Sequence, residues 1–379
     1  MRFSTLSGIA ALATVLANGV STVPAAAVSG ISVPCDTTAL TTAIATAPTG
    51  STLVLARHCT YHLTTAYSGN DGLPPIDKQL TIEGRDSTIV RDGLTAGAFR
   101  IFHVTSTGDL RLDDITIRGG NAPDAGGGIL VDPSGRLKLN NATIDNNHAA
   151  AGGGVYVDTG ATAYITRSEI TFNNSSAQGG GLASDGTVTT DGVEIARNFA
   201  GGSGGGIAHD SGDAVYRNTT LKDNTGGDDG GGISIADGTV QFINSKILNN
   251  TSMSVEGGGV WNIASLTLIK TEVAGNVLGG ANGDGGGIFQ EDGNSTLVLR
   301  DSSVHHNSAN GSGSPLGGGI FNSDGAVTLD HSEVNNNAST TAPGGVWTDT
   351  QFTVNRSQIR NNIPTNCDGS PVIVTGCIG

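Results

Sequence analysis

Apolar and polar residues alternate along most of the chain in short runs such as LKL, VQF, LTL and VTL. Alternation with period two is typical of β-strands. A second pattern is an Ile, Leu or Val three positions before an asparagine. An apolar residue lies ten positions before the same asparagine in all nine units. The asparagines in question are Asn147, Asn173, Asn198, Asn224, Asn250, Asn276, Asn307, Asn337 and Asn362.

A glycine pair or triplet precedes the first strand of each unit. The spacing between successive middle glycines is 25 to 32 residues. Self-similarity with a period in this range indicates a solenoid. Glycine is expected here because the chain must leave ordinary φ/ψ space and bring backbones close together. The middle glycines are Gly127, Gly153, Gly180, Gly205, Gly231, Gly258, Gly286, Gly318 and, in a final PGGV variant, Gly344.

Each unit is therefore predicted to contain three short strands that make one coil. Sequential strands of one coil cannot pair with each other, so pairing is expected with the next coil, parallel and in register, with right-handed crossovers. The predicted fold is all-β, a right-handed parallel β-helix of about twelve three-strand coils with a short N-terminal capping helix. The nine asparagines are predicted to form an inward ladder, in which each amide bonds turn backbone and its copy one coil away.

The first 27 residues are predicted to be a signal peptide, because an early arginine precedes an apolar run and two small residues, Ala25 and Ala27, lie two apart. We expect the remaining chain, 28–379, to be secreted, extracellular, monomeric and without a membrane span. It is predicted to be one domain: a cap and first coil (28–62), irregular coils (63–125), nine regular repeats (126–362) and a C-terminal cap (363–379).

Both ends of the solenoid carry candidate caps. Near the N-terminus, Asp36 is a predicted N-cap, and Leu40 and Ile44 lie on one face of a helix that stops at Pro48. The four cysteines allow three connectivities. Because the ends of a long solenoid lie far apart, we expect only the local disulfides Cys35–Cys59 and Cys367–Cys377.

The net charge disfavours two classes of partner. The chain has 19 basic and 34 acidic residues, a formal net charge of -15, and no basic block. Nucleic acid and anionic membrane surfaces are poor partners for such a field.

The GGGI and I/V/L-x-x-N motifs resemble the polymorphic outer-membrane protein repeats of bacteria, across nearly all of the mature chain. That resemblance implies a right-handed β-helix of the pectin-lyase-like class. The opening, from PCDTTAL to RHCTYHL, resembles the cap of secreted β-helix proteins from Gram-positive soil bacteria. The class includes pectate lyases, polygalacturonases and adhesins, so the resemblance implies a fold much more specifically than a function.

A column of acidic residues is the first candidate site. Asp229, Glu256 and Asp284 directly precede the glycine triplets of three consecutive units. Stacking spaces neighbours by about 5 Å, which suits the two carboxyl groups of a glycosidase. With Asp228, the column could also hold Ca²⁺, the one cofactor that the sequence suggests. The alternative interpretation is solvated turn acids without a role.

A lyase would also need a basic residue as proton acceptor. The nearest candidates by repeat are Lys222, Lys246 and Lys270, and none has a spacing that singles it out.

An aromatic column is the second candidate site. Trp261, Phe289, Phe321 and Trp347 occupy the same outward position in four consecutive coils, beside the two longest corner loops. Such a row could stack on sugar rings. The alternatives are a ladder that stabilises its own sheet, or rings covered by the long loops.

Another recurrence, typified by Asp185, Asp210 and Asp292, is interpreted as Asp-Gly turn chemistry.

These patterns favour a non-catalytic glycan-binding or adhesive role, with the aromatic column as platform and a polysaccharide or cell-surface glycan as partner. The alternative is a secreted polysaccharide lyase or glycoside hydrolase that acts on an acidic polysaccharide such as pectin, using the acidic column.

Overall fold

The computed structural model describes residues 30–93, 97–254, 256–281 and 283–377. The predicted signal peptide, 1–27, lies outside the described residues. Within them the strands form three sheets, of 22, ten and eight strands. Pairing is parallel and joins each coil to the next in register, as between Val240 and Leu266. The chain is a β-solenoid of about twelve coils, as predicted from the repeat.

The strand bounds follow the repeat. The ten-stranded sheet consists of Phe102–Val104, Ile129–Val131, Val155–Val157, Leu182–Ser184, Ile207–His209, Ile233–Ile235, Val260–Asn262, Ile288–Gln290, Ile320–Asn322 and Val346–Thr348. The eight-stranded sheet consists of His148–Ala151, Asn174–Gln178, Phe199–Ala200, Thr225–Gly226, Thr251–Ser252, Val277–Leu278, Ser308–Ala309 and Ala338–Ser339.

The 22-stranded sheet covers two sides of the coil. Its long early strands span both sides and bend at residues in the left-handed region, such as Asp114 (φ 55°) and Asn141 (φ 52°). In later coils the same path is divided into two strands. The strands are Ile31–Val33, Ser51–Leu55, Thr60–Leu63, Gln79–Arg91, Asp109–Arg118, Arg136–Asp145, Thr162–Thr166, Glu169–Thr171, Thr187–Asp191, Glu194–Ala196, Asp213–Arg217, Thr220–Lys222, Thr239–Ile243, Lys246–Leu248, Ser265–Ile269, Glu272–Ala274, Thr296–Arg300, Ser303–His305, Ala326–Asp330, Glu333–Asn335, Phe352–Asn355 and Gln358–Arg360.

The core is a continuous column of inward aliphatic side chains. Each regular coil contributes inward residues from the ten-stranded sheet and from both sides of the 22-stranded sheet, as Ile233, Val240 and Ile247 do, and all three are fully buried. The eight-stranded sheet adds a short fourth strand, such as Thr251–Ser252, to coils for which three strands were predicted. Because alternation sends the intervening residues outward, functional side chains can vary without disturbing this core.

The three glycines of a triplet meet three different constraints. Gly230 has φ +63°, which disfavours other residues. A Cβ on Gly231 would overlap the backbone of Thr251 and of Gly258 in the next coil, and one on Gly232 would lie 3.0 Å from Nδ2 of Asn250. The triplet therefore allows close approach between coils at this corner.

The asparagines form a continuous hydrogen-bonded ladder inside the next corner. Oδ1 of Asn250 accepts from both the backbone N–H and the Nδ2 of Asn224, each at 3.0 Å. Nδ2 of Asn250 donates to Leu221 O at 3.1 Å and to Asn276 Oδ1 at 3.0 Å. The pattern runs from Asn147 to Asn362, so each of the nine regular repeats contributes one buried amide.

The segments predicted as caps contain the expected helix and disulfides. Helix α1 (Thr37–Thr46) begins at the predicted N-cap, where Asp36 accepts from Ala39 N at 2.7 Å, and buries Leu40 and Ile44. Both local disulfides are present, Cys35–Cys59 and Cys367–Cys377. No helix of the described chain has the length and apolarity needed to cross a membrane.

Candidate functional site

The aromatic column lies along the middle of the outer face of the ten-stranded sheet, and the acidic column lies along one edge of it. The middle residue of each three-residue strand points outward, and the strands pair in register, so these residues form one column along the solenoid. In order they are His103, Leu130, Tyr156, Ala183, Ala208, Ser234, Trp261, Phe289, Phe321 and Trp347.

Two of the four predicted platform residues are buried. Phe289 and Phe321 are only 2% and 8% exposed. The rings of Phe289, Phe321 and Trp347 stack almost parallel, with centroids 5.1 and 4.3 Å apart. Because neighbouring rings cover both faces of Phe321, a sugar has no ring face to stack on there. The prediction of an exposed four-residue platform is wrong for Phe289 and Phe321, which form a ladder within their own sheet.

Trp261 is half-exposed, as Trp347 is, but among the described residues it stacks on no neighbouring ring. Its indole Nε1 donates to Oε2 of Glu256 at 3.0 Å, which fixes the orientation of the ring. A depression of about 410 Å³ adjoins the indole, and we call it the Trp261 depression. It is lined by Trp261, Ile263, Glu291, Asp292, Gly293 and Asp324.

The structure places the three acidic candidates in adjacent coils at one edge of this face. Gly230 N donates to Glu256 O, and Gly257 N to Asp284 O, each at 3.0 Å. All three side chains are half-buried. Oδ1 of Asp284 accepts from Leu316 N at 2.6 Å. Oδ1 of Asp229 is buried and has no hydrogen-bond partner among the described residues.

Burial raises the pKa of each of these carboxyl groups. The pKa of Glu256 is raised to about 7, chiefly by burial and further by the negative charges of Asp229, Glu291 and Asp284, although the Trp261 hydrogen bond opposes the shift. Burial raises the pKa of Asp284 to about 6. The pKa of Asp229 is raised by burial and then by Asp228. Glu256 therefore exchanges its proton near neutral pH.

The remaining partners proposed for the acidic column lie elsewhere. Lys222 and Lys246 lie on the 22-stranded sheet and pair with Glu194 and Glu272, at 2.8 and 3.2 Å. In the described part of the chain, no group of three or more His, Cys, Asp or Glu residues is placed to hold a metal ion. The Ca²⁺ site suggested with Asp228 thus has no such ligand set there.

The outer face has a second acidic edge, which the sequence pattern does not predict. The residue after each strand of the ten-stranded sheet forms a column on the opposite side of the outer face, and Asp185, Asp210 and Glu291 belong to it. The Tyr156 hydroxyl donates to Asp185, and the Gln178 amide donates to Asp210 across the face. Burial raises the pKa of Asp210, and Asp185 adds to the shift. The constant position of Asp185 and Asp210 after a strand is the available signal, but a following glycine makes the same aspartates typical of turns.

His103 marks the N-terminal end of the outer face. Its Nδ1 lies 3.0 Å from Asp71 Oδ2 and its Nε2 2.9 Å from Asp132 Oδ2. These hydrogen bonds, the one to Asp71 foremost, raise the pKa of the imidazole. Arg100 Nε also pairs with Asp71, at 2.9 Å, so this group fastens the early coils together.

Comparison with known proteins supports the fold. Residues 100–278 match the family model described as a right handed beta helix region. No curated protein matches the chain. The match and the parallel solenoid together fit a right-handed β-helix, and the matched segment includes the outer face from His103 to Trp261. The likeness to polymorphic outer-membrane proteins and to the pectin-lyase-like class stays a prediction.

Proposed function

We propose that the protein binds a glycan chain on the outer face of the ten-stranded sheet, at the Trp261 depression. The observation that carries this proposal is the half-exposed indole, held by Glu256 at 3.0 Å and bordered by a depression with both apolar and polar walls. Binding sites for small ligands combine an aromatic or apolar surface with a few oriented polar groups.

The chemistry of the depression suits a sugar ring. An indole face packs against the apolar C–H face of a sugar, and Ile263 extends that surface. The carboxylates of Glu291 and Asp324 can accept hydrogen bonds from hydroxyl groups at the rim of the ring. In this proposal the exported monomer acts outside the cell, where both disulfides are stable.

Replacement of Trp261 tests the proposal. We expect Trp261→Ala to abolish retardation of the protein in native gels that contain polysaccharide, because the stacking surface is lost. Tyr164→Ala is the matched control, since Tyr164 is 46% exposed but lies on the 22-stranded sheet. Equal retardation of the wild type and the Trp261 variant would exclude this site.

Glycoside hydrolysis is a second candidate function, and the state of Glu256 favours it. A carboxyl group with a pKa of about 7 is suited to act as general acid at neutral pH. Asp229 and Asp284 lie one coil away on either side, a spacing of about 5 Å that suits a retaining mechanism. Glu256 would protonate the leaving oxygen while an ionised neighbour attacks the anomeric carbon. Water, deprotonated by Glu256, would then hydrolyse the resulting glycosyl ester and regenerate both carboxyl groups.

Product analysis separates hydrolysis from binding. The purified protein is incubated with a panel of polysaccharides, and the soluble fraction is examined by mass spectrometry. Oligosaccharides with one added water that disappear with Glu256→Gln would establish hydrolysis. A supernatant free of products, together with retardation in gels, would leave binding alone.

A further inference from the structure

We propose that the Trp261 depression selects glycans that carry protonated amino groups, such as glucosamine polymers, over neutral and acidic glycans. This inference rests on the proposed glycan binding at Trp261. It departs from the sequence-based alternative of an acidic substrate such as pectin, because the charges around the indole have the opposite sign to those that such a substrate needs.

The walls of the depression are uniformly acidic around an aromatic and aliphatic base. Of the six residues that line it, Glu291, Asp292 and Asp324 are acidic and none is basic. All three acidic side chains are exposed. Glu256, which holds the indole from the opposite edge of the outer face, is not part of this lining.

These three carboxylates lack the basic ion-pair partners that acidic residues have elsewhere on the molecule. On the 22-stranded sheet, Glu194, Glu272 and Glu333 each pair with a lysine or arginine at 2.8 to 3.3 Å. Within the described residues, no ion pair involves Glu291, Asp292 or Asp324. The depression therefore keeps a negative potential, which attracts a cationic ligand and repels a carboxylated one.

The indole adds a second, independent preference for the same ligand. An ammonium group near the face of a tryptophan is attracted by the ring quadrupole. A glucosamine unit presents an apolar ring face to Trp261 and an ammonium group at its edge. That group can then donate to the carboxylate of Glu291 or Asp324, as a charge-assisted hydrogen bond.

Calorimetry on the intact protein tests the selectivity. A glucosamine hexamer, its fully N-acetylated counterpart and a galacturonate hexamer are titrated at about pH 6, below the ordinary pKa of an amine. We expect the glucosamine hexamer to bind at least tenfold more tightly than the acetylated one, with affinity that falls as salt is added. No binding is expected for the galacturonate.

Two variants locate the effect. Glu291→Gln combined with Asp324→Asn should lower affinity for the glucosamine hexamer at least tenfold and leave the acetylated hexamer nearly unaffected. The control is Asp223→Asn, which removes one negative charge from an exposed corner outside the depression. Asparagine is tolerated there at φ 55°, and the change should alter neither affinity.

The outcomes separate the two proposals. Equal affinity for both hexamers, or a preference that survives the double variant, would overturn the charge selectivity while glycan binding stands. Binding that is lost with Trp261→Ala but shows no preference leads to the same conclusion. Absence of binding to all three hexamers would overturn the selectivity for amino glycans, and the polysaccharide gels decide separately whether glycan binding stands.

Discussion

At the scale of the residue, close backbone approach and positive φ are separate reasons for a glycine, and alanine substitutions should distinguish them. In Gly231→Ala the new methyl group overlaps the backbone of Thr251 and Gly258, so we expect a loss of more than about 3 kcal/mol in the free energy of unfolding. Gly160→Ala is the control, since Gly160 has φ +73° but open space around it, and should cost about 1 kcal/mol. Urea titration measures both, and similar losses would contradict the role assigned to close approach.

The protonation of Glu256 should appear in the pH dependence of stability. A carboxyl group whose pKa is raised on folding, here from 4.5 to about 7, keeps its proton longer in the folded state than in the unfolded state. The folded state is therefore favoured below the unfolded pKa, and this contribution is lost as pH rises through about 7.

Glu256→Gln removes that dependence. Since the side chain is half-exposed, solvent screening reduces the effect to about 1 kcal/mol. We expect the variant to be more stable than the wild type at about pH 8 and nearly equal to it at about pH 4. Thermal unfolding followed by circular dichroism gives the comparison. A difference that is the same at both pH values would show that the titration of Glu256 is not coupled to folding.

At the scale of the strand, we expect the aromatic ladder to contribute to stability and Trp261 to contribute to glycan binding. Phe321 is 8% exposed and stacks between Phe289 and Trp347. We expect Phe321→Ala to cost about 3 kcal/mol of stability, because it leaves a cavity and removes two ring contacts. Retardation in polysaccharide gels should be unchanged for the folded variant, in contrast to Trp261→Ala. If Phe321→Ala abolished retardation without loss of stability, Phe321 would be part of the binding surface.

The sequence predicts which side chains of a strand point outward, but it does not predict which of them neighbouring side chains bury. Period-two alternation shows that Phe289 points outward, because it depends only on the backbone. Burial of its ring depends on neighbours one coil away, which the pattern does not specify. The contacts of Asp185 and Asp210 escaped prediction for the same reason, since they join side chains across the outer face. The asparagine ladder was accessible because a fixed interval of ten residues repeats one local geometry nine times.

On the scale of the whole molecule, the solenoid has a weak point that a globular core lacks. About twelve coils at about 4.8 Å give a rod 50 to 60 Å long, and each coil contacts mainly its neighbours. The ends would expose core and unpaired strand edges, which promote association. At the N-terminal end, helix α1 covers the first coil with Leu40 and Ile44.

Detachment of helix α1 should cause the protein to self-associate while most of the β-structure is retained. Leu40→Asp places a charge at a fully buried position, at a cost of several kcal/mol, so we expect α1 to detach. Because distant coils keep their own contacts, most β-structure should persist in circular dichroism. Light scattering after gel filtration should then show dimers or larger species that increase with concentration. Thr42→Asp, on the exposed side of the same helix, should stay monomeric. A monomeric Leu40→Asp protein with an unchanged melting temperature would show that the first coil needs no cap.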